Sequence, residues 1–84
     1  MKILHVIRKP GEPLGFEVAR SQREVHQVVF LLIQDGVVSR PDPPATVYSL
    51  ADDVNAQGLG AVGIPTDYDG AIRLMADADR VIVW

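Results

Sequence analysis

The residues of this 84-residue chain that could carry chemistry are few and scattered. Cysteine is absent, which excludes thiolate nucleophiles, persulfide carriers and disulfides on this chain. The two imidazoles, His5 and His26, have no acidic residues at metal-ligand spacing, so no metal site is predicted. His5 lies inside a predicted strand and is expected to be a partly buried, hydrogen-bonded histidine. His26 lies at a predicted helix end, where a cation favours the helix dipole.

Two pairs of acidic residues have structural explanations. Asp52 and Asp53 are neighbours in a predicted helix, so their side chains do not face each other, and both suit the first turn of that helix. Asp67 and Asp69 have the same explanation. The serines have no GxSxG context and no evident base, so a hydrolase triad is not predicted.

The glycine-rich segment 58–63 reads GLGAVG and matches the letters GxGxxG. A dinucleotide site needs that pattern between a strand and a helix. Here the segment follows a predicted helix and precedes a proline. We therefore interpret it as a helix end followed by a flexible turn, and no cofactor is predicted.

The least ordinary polar group is Gln34-Asp35-Gly36, which follows the apolar run Val28–Ile33. Polar side chains there would lie at the rim of a sheet, and glycine permits a positive φ or the close approach of another main chain. Two interpretations remain open: a site or interface at the end of the strand, or an Asx-type turn that holds its own main chain. A hairpin is not predicted, because a proline-rich segment follows in place of a second alternating strand.

The elements that must position these residues are in the order β-α-β-β-α-(β)-α-β. Six consecutive apolar residues at 28–33 are typical of a parallel strand that is covered on both faces. The fold class is therefore predicted to be a small three-layer α/β sandwich, flavodoxin-like or Rossmann-like, with a mostly parallel sheet. A single domain spans residues 1–84. The predicted strands are 2–7, 28–33, 46–50, a possible short strand at 61–64, and 79–84; helices are predicted at 13–26, 51–57 and after Thr66.

Local signals mark the ends of these elements. Gly58 lies just past the second helix, as expected of a helix terminus. Thr66 is predicted to cap the third helix, with Asp69 completing a capping box. The segment 37–46 contains three closely spaced prolines within Arg40–Pro44, which exclude a helix or a central strand there.

Composition bounds the class of protein. With 48% hydrophobic residues the chain is too apolar to be disordered, yet it is short enough that oligomerisation is a reasonable expectation. A net charge of −3 argues against direct binding to nucleic acid. The first residues are too few and too soon interrupted for a signal peptide, and no apolar run is long enough to span a membrane. A soluble cytoplasmic protein is expected.

Several segments together carry a resemblance to a known family. Over nearly the whole chain and in the same order, they resemble the DsrH/TusB family of the DsrE-like superfamily, whose members are subunits of bacterial sulfur-relay complexes. The matching residues are Leu4-His5 with Lys9-Pro10, LLIQDGV at 31–37, VYSLADD at 47–53 running to Gly58-Leu59, and, more weakly, Asp67-Tyr68, Arg73-Leu74 and Trp84.

The resemblance implies a non-catalytic subunit that assembles with cysteine-bearing TusC/TusD-like or DsrE/DsrF-like partners. In such complexes sulfur passes as a cysteine persulfide towards tRNA modification, namely thiolation of the wobble uridine, or is exchanged during sulfur oxidation. Some family members carry a cysteine in the region of 16–20, and this chain has none, so it cannot itself carry the persulfide. The segment 41–44 also looks shorter than in TusB.

Five residues are predicted to form a rim that meets a partner: Gln34, Asp35, Gly36, Asp53 and Tyr68. Two alternatives remain. The first is an enzyme or small-molecule-binding domain that uses this rim, with Asp35 and His5 as acid-base or hydrogen-bonding groups. The second is a stand-alone homo-oligomer, and self-association could use the same rim.

Overall fold

A computed structural model gives the chain a three-layer α/β architecture. It describes residues 1–9, 13–23, 25–38, 46–58, 60 and 63–84, with the main chain only at 13–15. The strands are β1 (Lys2–Ile7), β2 (Gln27–Leu32), β3 (Thr46–Leu50), β4 (Ile64–Thr66) and β5 (Arg80–Val83). The helices are α1 (Pro13–Gln22), α2 (Ala51–Gln57) and α3 (Tyr68–Asp77), with a short 3-10 helix at Gln34–Val38.

The five strands form one sheet in the order β4-β3-β2-β1-β5, and all neighbouring strands run parallel. The predicted three-layer α/β sandwich with a parallel sheet is therefore confirmed. Because β2 and β3 are parallel, with Val29 opposite Thr46, the Asp-Gly pair between them is not a hairpin turn. It lies instead where the chain leaves the carboxyl end of β2.

Connections cover the two faces of the sheet unequally. The steps from β1 to β4 all go in one direction, so right-handed crossovers place α1 and α2 on the same face, which we call the first face. The return from β4 to the far side of β1 places α3 alone on the second face. Alternation along each strand then supplies a hydrophobic cluster to each face.

The two clusters make up most of the core. On the first face, Ile7, Val28, Phe30 and Leu32 of the sheet pack with Ala19 of α1, Val37 of the 3-10 helix and Val54 of α2. On the second face, Leu4, Val6, Val29, Leu31 and Leu50 pack with Ala71 of α3. The buried run at 28–32 is covered on both faces, as its sequence indicates.

The first helix is shorter than predicted. It ends at Gln22 and not at His26, which lies in a turn just before β2 and donates its main-chain N–H to Gln22 O at 2.9 Å. Val25 suggested that the apolar face of the helix continued, but its side chain is 75% exposed. An exposed valine gives no burial energy to extend the helix, so the chain turns into the sheet instead.

The start of the third helix also differs from the prediction. Thr66 is not the cap: it belongs to β4, opposite Leu50, and Asp67 caps α3 by accepting the Gly70 N–H at 2.8 Å. Pairing with β3 fixes the main chain of Thr66 in the sheet, which leaves the next carboxylate to take the helix N–H.

Other predicted segments fall partly outside the described residues. The fourth strand is Ile64–Thr66 and not 61–64, and residues 61 and 62 lie outside the described ranges. So does the proline-rich segment 39–45. Val37 and Val38 belong to the 3-10 helix and not to an irregular loop, because Val37 is buried in the first-face cluster. Gly58 has φ of 68° and ends α2, as predicted.

Candidate functional site

Two polar segments lie side by side at the carboxyl ends of β2 and β3. The 3-10 helix follows β2, and α2 begins directly after β3. The Gln34 main-chain N–H donates to Asp53 Oδ2 at 2.7 Å, and Gln57 Nε2 donates to Asp35 Oδ1 at 2.9 Å. Both hydrogen bonds join the 3-10 helix to α2, and they fix the shape of this edge of the sheet.

Gln34 has a main-chain conformation that is unusual for its residue type. Its φ of 51° lies in the left-handed region, which costs a side chain with a Cβ about 1–2 kcal/mol. The bond from its N–H to the half-buried Asp53 carboxylate is charge-assisted, and such bonds are stronger than neutral ones. This bond helps to hold Gln34 in the unfavourable conformation.

Gly36 lies against the end of β1. Its N–H is placed to donate to Arg8 O at 3.1 Å and to Ile33 O at 2.9 Å. A Cβ at this position would collide with the carbonyl oxygen of Ile7 and lie 2.7 Å from the carbon of that carbonyl. Gly36 is therefore required for the close approach of two main chains and not for a positive φ. Its hydrogen bonds hold the carboxyl ends of β1 and β2 together.

The Asp35 carboxylate connects two elements, because it accepts a hydrogen bond from Gln57 Nε2 of α2. Asp35 is exposed, and a carboxylate held in place on the surface can form part of a recognition surface.

The structure brings together four of the five predicted rim residues. Gln34, Asp35, Gly36 and Asp53 form one cluster, which we call the rim. Tyr68 does not belong to it: this residue starts α3 on the second face and is 62% exposed. The sequence placed Tyr68 correctly after a strand, but it could not show that α3 covers the opposite face.

His5 is fully buried and bonded through both ring nitrogens. Trp84 Nε1 donates to His5 Nδ1 at 3.0 Å, and Gln22 Oε1 lies 2.7 Å from His5 Nε2. Because an indole N–H can only donate, Nδ1 is the acceptor and Nε2 carries the proton that goes to Gln22. The neutral ring is therefore the form that this environment satisfies.

Burial lowers the pKa of His5 below its ordinary value, although the hydrogen bond with Gln22 acts in the opposite direction. The ring stacks on Trp84, with centroids 6.1 Å apart, and also contacts Phe30. A neutral imidazole with both nitrogens engaged and no exposed surface is not placed to exchange protons with a substrate. The expectation of a hydrogen-bonded histidine is confirmed, but the side chain is fully buried and not partly buried as expected.

The hydrogen-bond partners of His5 and Asp35 are distant in the sequence and could not be predicted from it. Trp84 meets His5 from 79 positions away, and Gln57 reaches Asp35 across 22 positions. Tryptophan and glutamine are common in roles unrelated to these contacts. Only the order of the strands, which places β5 beside β1, brings Trp84 to the histidine.

An open groove runs along the flank of α3 that faces β3 and β4. Its lining includes Tyr48, Thr66 and Arg73, and Lys2 forms an ion pair with Asp77 at one end. The Lys2 ammonium group also donates a hydrogen bond to the Asp77 carboxylate, and this bond raises the pKa of Lys2. Within the described ranges, no three His, Asp or Glu side chains are grouped to hold a metal ion. Among the helices described, none has the length and apolar character to cross a membrane.

No family model matches the sequence, and no curated protein matches it. The fold and the rim define a small parallel α/β domain with a polar edge fixed by hydrogen bonds. Membership of the DsrH/TusB family stays a prediction from the resemblance.

Proposed function

We propose that this chain is a non-catalytic subunit of a cytoplasmic sulfur-relay complex and that it binds cysteine-bearing partners through the rim. The observation that carries the proposal is the pair of hydrogen bonds from Gln34 to Asp53 and from Gln57 to Asp35. They fix an exposed polar edge before any partner arrives. A preformed surface lowers the entropy cost of association.

The contribution of this chain to the relay is a surface and not a reacting group. Sulfur transfer as persulfide requires a thiolate, and the chain contains no cysteine. The rim carboxylates of Asp35 and Asp53 already accept hydrogen bonds within the chain. The reactive cysteine would therefore belong to a TusD-like or DsrE-like partner.

The proposed role of a binding subunit is the same whether the complex serves tRNA thiolation or sulfur oxidation. The partner complex would pass persulfide sulfur to the thiolation of the tRNA wobble uridine or exchange it during sulfur oxidation. With a net charge of −3, the chain is better suited to contact proteins than to grip tRNA itself, because phosphate binding needs clustered cations.

The experiment that tests this proposal is an affinity purification of the tagged chain from its native lysate, with mass spectrometry of the proteins that accompany it. The expected result is co-purification of cysteine-bearing DsrE-like or TusC/TusD-like chains. Asp35→Ala and Asp53→Ala should each reduce their recovery, because each removes one of the bonds that shape the rim. Recovery of the tagged chain alone would count against the relay role.

Asp52→Ala is the matched control. Asp52 is an exposed carboxylate in the first turn of α2, next to Asp53, and it takes neither of the two rim bonds. Its loss changes the net charge as Asp53→Ala does but leaves those bonds intact. The fraction of thiolated wobble uridine in cellular tRNA, measured by mass spectrometry, gives a second readout. Full partner recovery and normal thiolation with Asp35→Ala would overturn the rim assignment.

A further inference from the structure

The two edge strands of the sheet differ in how well they are protected. The strand β4 has only three residues and contains Pro65, and short length and proline are common devices that prevent pairing at an edge. The strand β5 has no proline, and Arg80 is its one charged residue. Among the described strands, β5 pairs with β1 alone. In the part of the chain that the structure describes, the outer edge of β5 is therefore open to pairing.

The free main-chain groups of this edge can be identified. Trp84 donates its main-chain N–H to Val6 O at 2.9 Å, so its polar groups point towards β1. Alternate residues of a strand point their main-chain groups to the same side, which assigns Ile82 to β1 as well. The N–H and C=O groups of Val81 and Val83 then point outwards, away from the sheet.

The same two valines expose their side chains. They lie on the second face, because Val81 pairs with Leu4 and Val83 with Val6 in the register with β1. Leu4 and Val6 are buried, whereas Val81 is 40% exposed and Val83 is 54% exposed. Within the described residues, the second face is thus left uncovered where the sheet ends.

A flank of α3 extends this apolar surface. Tyr68, Ile72 and Met75 follow helical spacing and are 62%, 62% and 39% exposed. The opposite flank, with Arg73, lines the groove with Tyr48 of β3. The flank with Tyr68, Ile72 and Met75 therefore faces β5.

The dimensions explain why this strip is open. A helix with its side chains is about 10 Å wide. Five strands spaced at roughly 4.8 Å make a sheet about 24 Å wide, so one helix covers less than half of a face. On the second face α3 is that one helix, and β5 lies beyond its cover.

We propose that β5 pairs antiparallel with β5 of a second copy, about a two-fold axis through Ile82, so that two five-stranded sheets become one continuous sheet. In this register Val81 lies opposite Val83 of the second copy, and the reverse pair forms by symmetry. Both are the residues whose main-chain groups point outwards, so each pair exchanges two N–H···O=C hydrogen bonds. Ile82 meets its own counterpart at the axis.

The symmetry also restricts the register. A two-fold axis perpendicular to the sheet keeps the second faces of both copies on one side, so opposite residues must belong to the same face. A register centred between two residues is excluded, because it would pair a residue of the second face with a residue of the first face. In the register centred on Ile82, Arg80 lies opposite Trp84 of the second copy, so no like charges are paired.

A second copy fits this edge because the apolar pattern of β5 is the same when read from either end about Ile82. Valine meets valine and isoleucine meets isoleucine, and the two uncovered strips of the second face become adjacent. The contact lies beyond β1 from the rim, at the far edge from β3. This proposal goes beyond the relay function, and both surfaces can be occupied at the same time.

The test is analytical ultracentrifugation of the purified chain over a concentration series up to millimolar. The wild type is expected to show a monomer–dimer equilibrium. Val83→Lys should weaken the dimer at least tenfold, because a charge replaces an apolar cross-strand partner. Ile64→Lys is the matched control: Ile64 is 51% exposed on the other edge strand, so its replacement should leave the dimer unchanged.

Val83→Pro tests the main-chain bonds separately. Its N–H points outwards and is not needed by β1, so the variant should keep its circular dichroism spectrum and lose the dimer. A wild type that stays monomeric to millimolar concentration would overturn the proposal. So would a dimer that Ile64→Lys weakens as much as Val83→Lys, or one that folded Val83→Pro preserves.

Discussion

Gly36→Ala is the substitution for which the structure gives the most specific expectation. The added Cβ would collide with Ile7 O and lie 3.2 Å from Arg8 N, and both are main-chain atoms at the end of β1. Main chain cannot move aside as the tip of a side chain can. The segment at 34–36 must therefore shift away from β1.

The cost can be built from two contributions. The shift weakens the hydrogen bonds of the Gly36 N–H to Arg8 O and Ile33 O. Together these bonds contribute about 1 kcal/mol to the free energy of unfolding. It also disturbs the packing of Val37, which is 1% exposed in the first-face cluster, and forced packing of this kind costs about 1–3 kcal/mol. We expect a loss of about 2–4 kcal/mol in the free energy of unfolding.

A loss of that size is large for this chain. A domain of 84 residues has a total stability of roughly 4–12 kcal/mol. The melting temperature should fall by about 8–32 °C, given the 4–8 °C per kcal/mol that is usual for small domains. Thermal and urea unfolding followed by circular dichroism measure both quantities.

Gly60→Ala is the control for Gly36→Ala. A Cβ at Gly60 meets no atom within 4 Å, and its φ is not in the left-handed region. Gly60→Ala should change the free energy of unfolding by less than about 0.5 kcal/mol. If Gly36→Ala melts within about 2 °C of the wild type, the close approach to β1 is not rigid and the reasoning fails.

Three further predictions concern other contacts. Because burial lowers the pKa of His5 in the folded state, the unfolded state binds more protons than the folded state as the pH falls below 6.5. The free energy of unfolding should therefore decline there by up to about 1.4 kcal/mol per pH unit. Urea titrations between pH 7.5 and 5.5 should show a smaller dependence on pH for His5→Asn, and an unchanged dependence would refute the assignment. Gln22→Leu leaves the buried His5 Nε2 without its acceptor and should cost about 1–3 kcal/mol in urea unfolding, whereas a neutral result would mean that water replaces Gln22. Gly58→Ala, at φ of 68° with open space around the Cβ, should cost about 1 kcal/mol in the same assay, and stabilisation would contradict the helix-end geometry.

The fold could be predicted from sequence because its strongest signals are local. The apolar run at 28–33 indicates a strand covered on both faces, and the proline-rich segment after Asp35-Gly36 argues against a hairpin. Gly58 marks a helix end without reference to the rest of the chain. Signals of this kind depend on neighbours in sequence, which a reader of the sequence can see.

The elements that were placed wrongly depend on distant contacts. Whether α1 continues to His26 is decided by the burial of Val25, and whether Thr66 or Asp67 caps α3 is decided by pairing with Leu50. Four of the five predicted residues lie together because they follow β2 and β3, which prove adjacent. Tyr68 was included because chain order does not show which face a crossover helix covers.

The position of β5 beside β1 also affects how the chain folds as it is made. The strand β1 is synthesised before the other strands of the sheet, but β5, which pairs with it on one side, is synthesised after them. The main-chain N–H of Lys2, for example, bonds the Asp79 carboxylate across 77 positions. Until β5 arrives, β1 has one unpaired side and His5 lacks its tryptophan. Sheet assembly therefore cannot finish during translation of the first four strands, and closure of this long loop is expected to limit the folding rate.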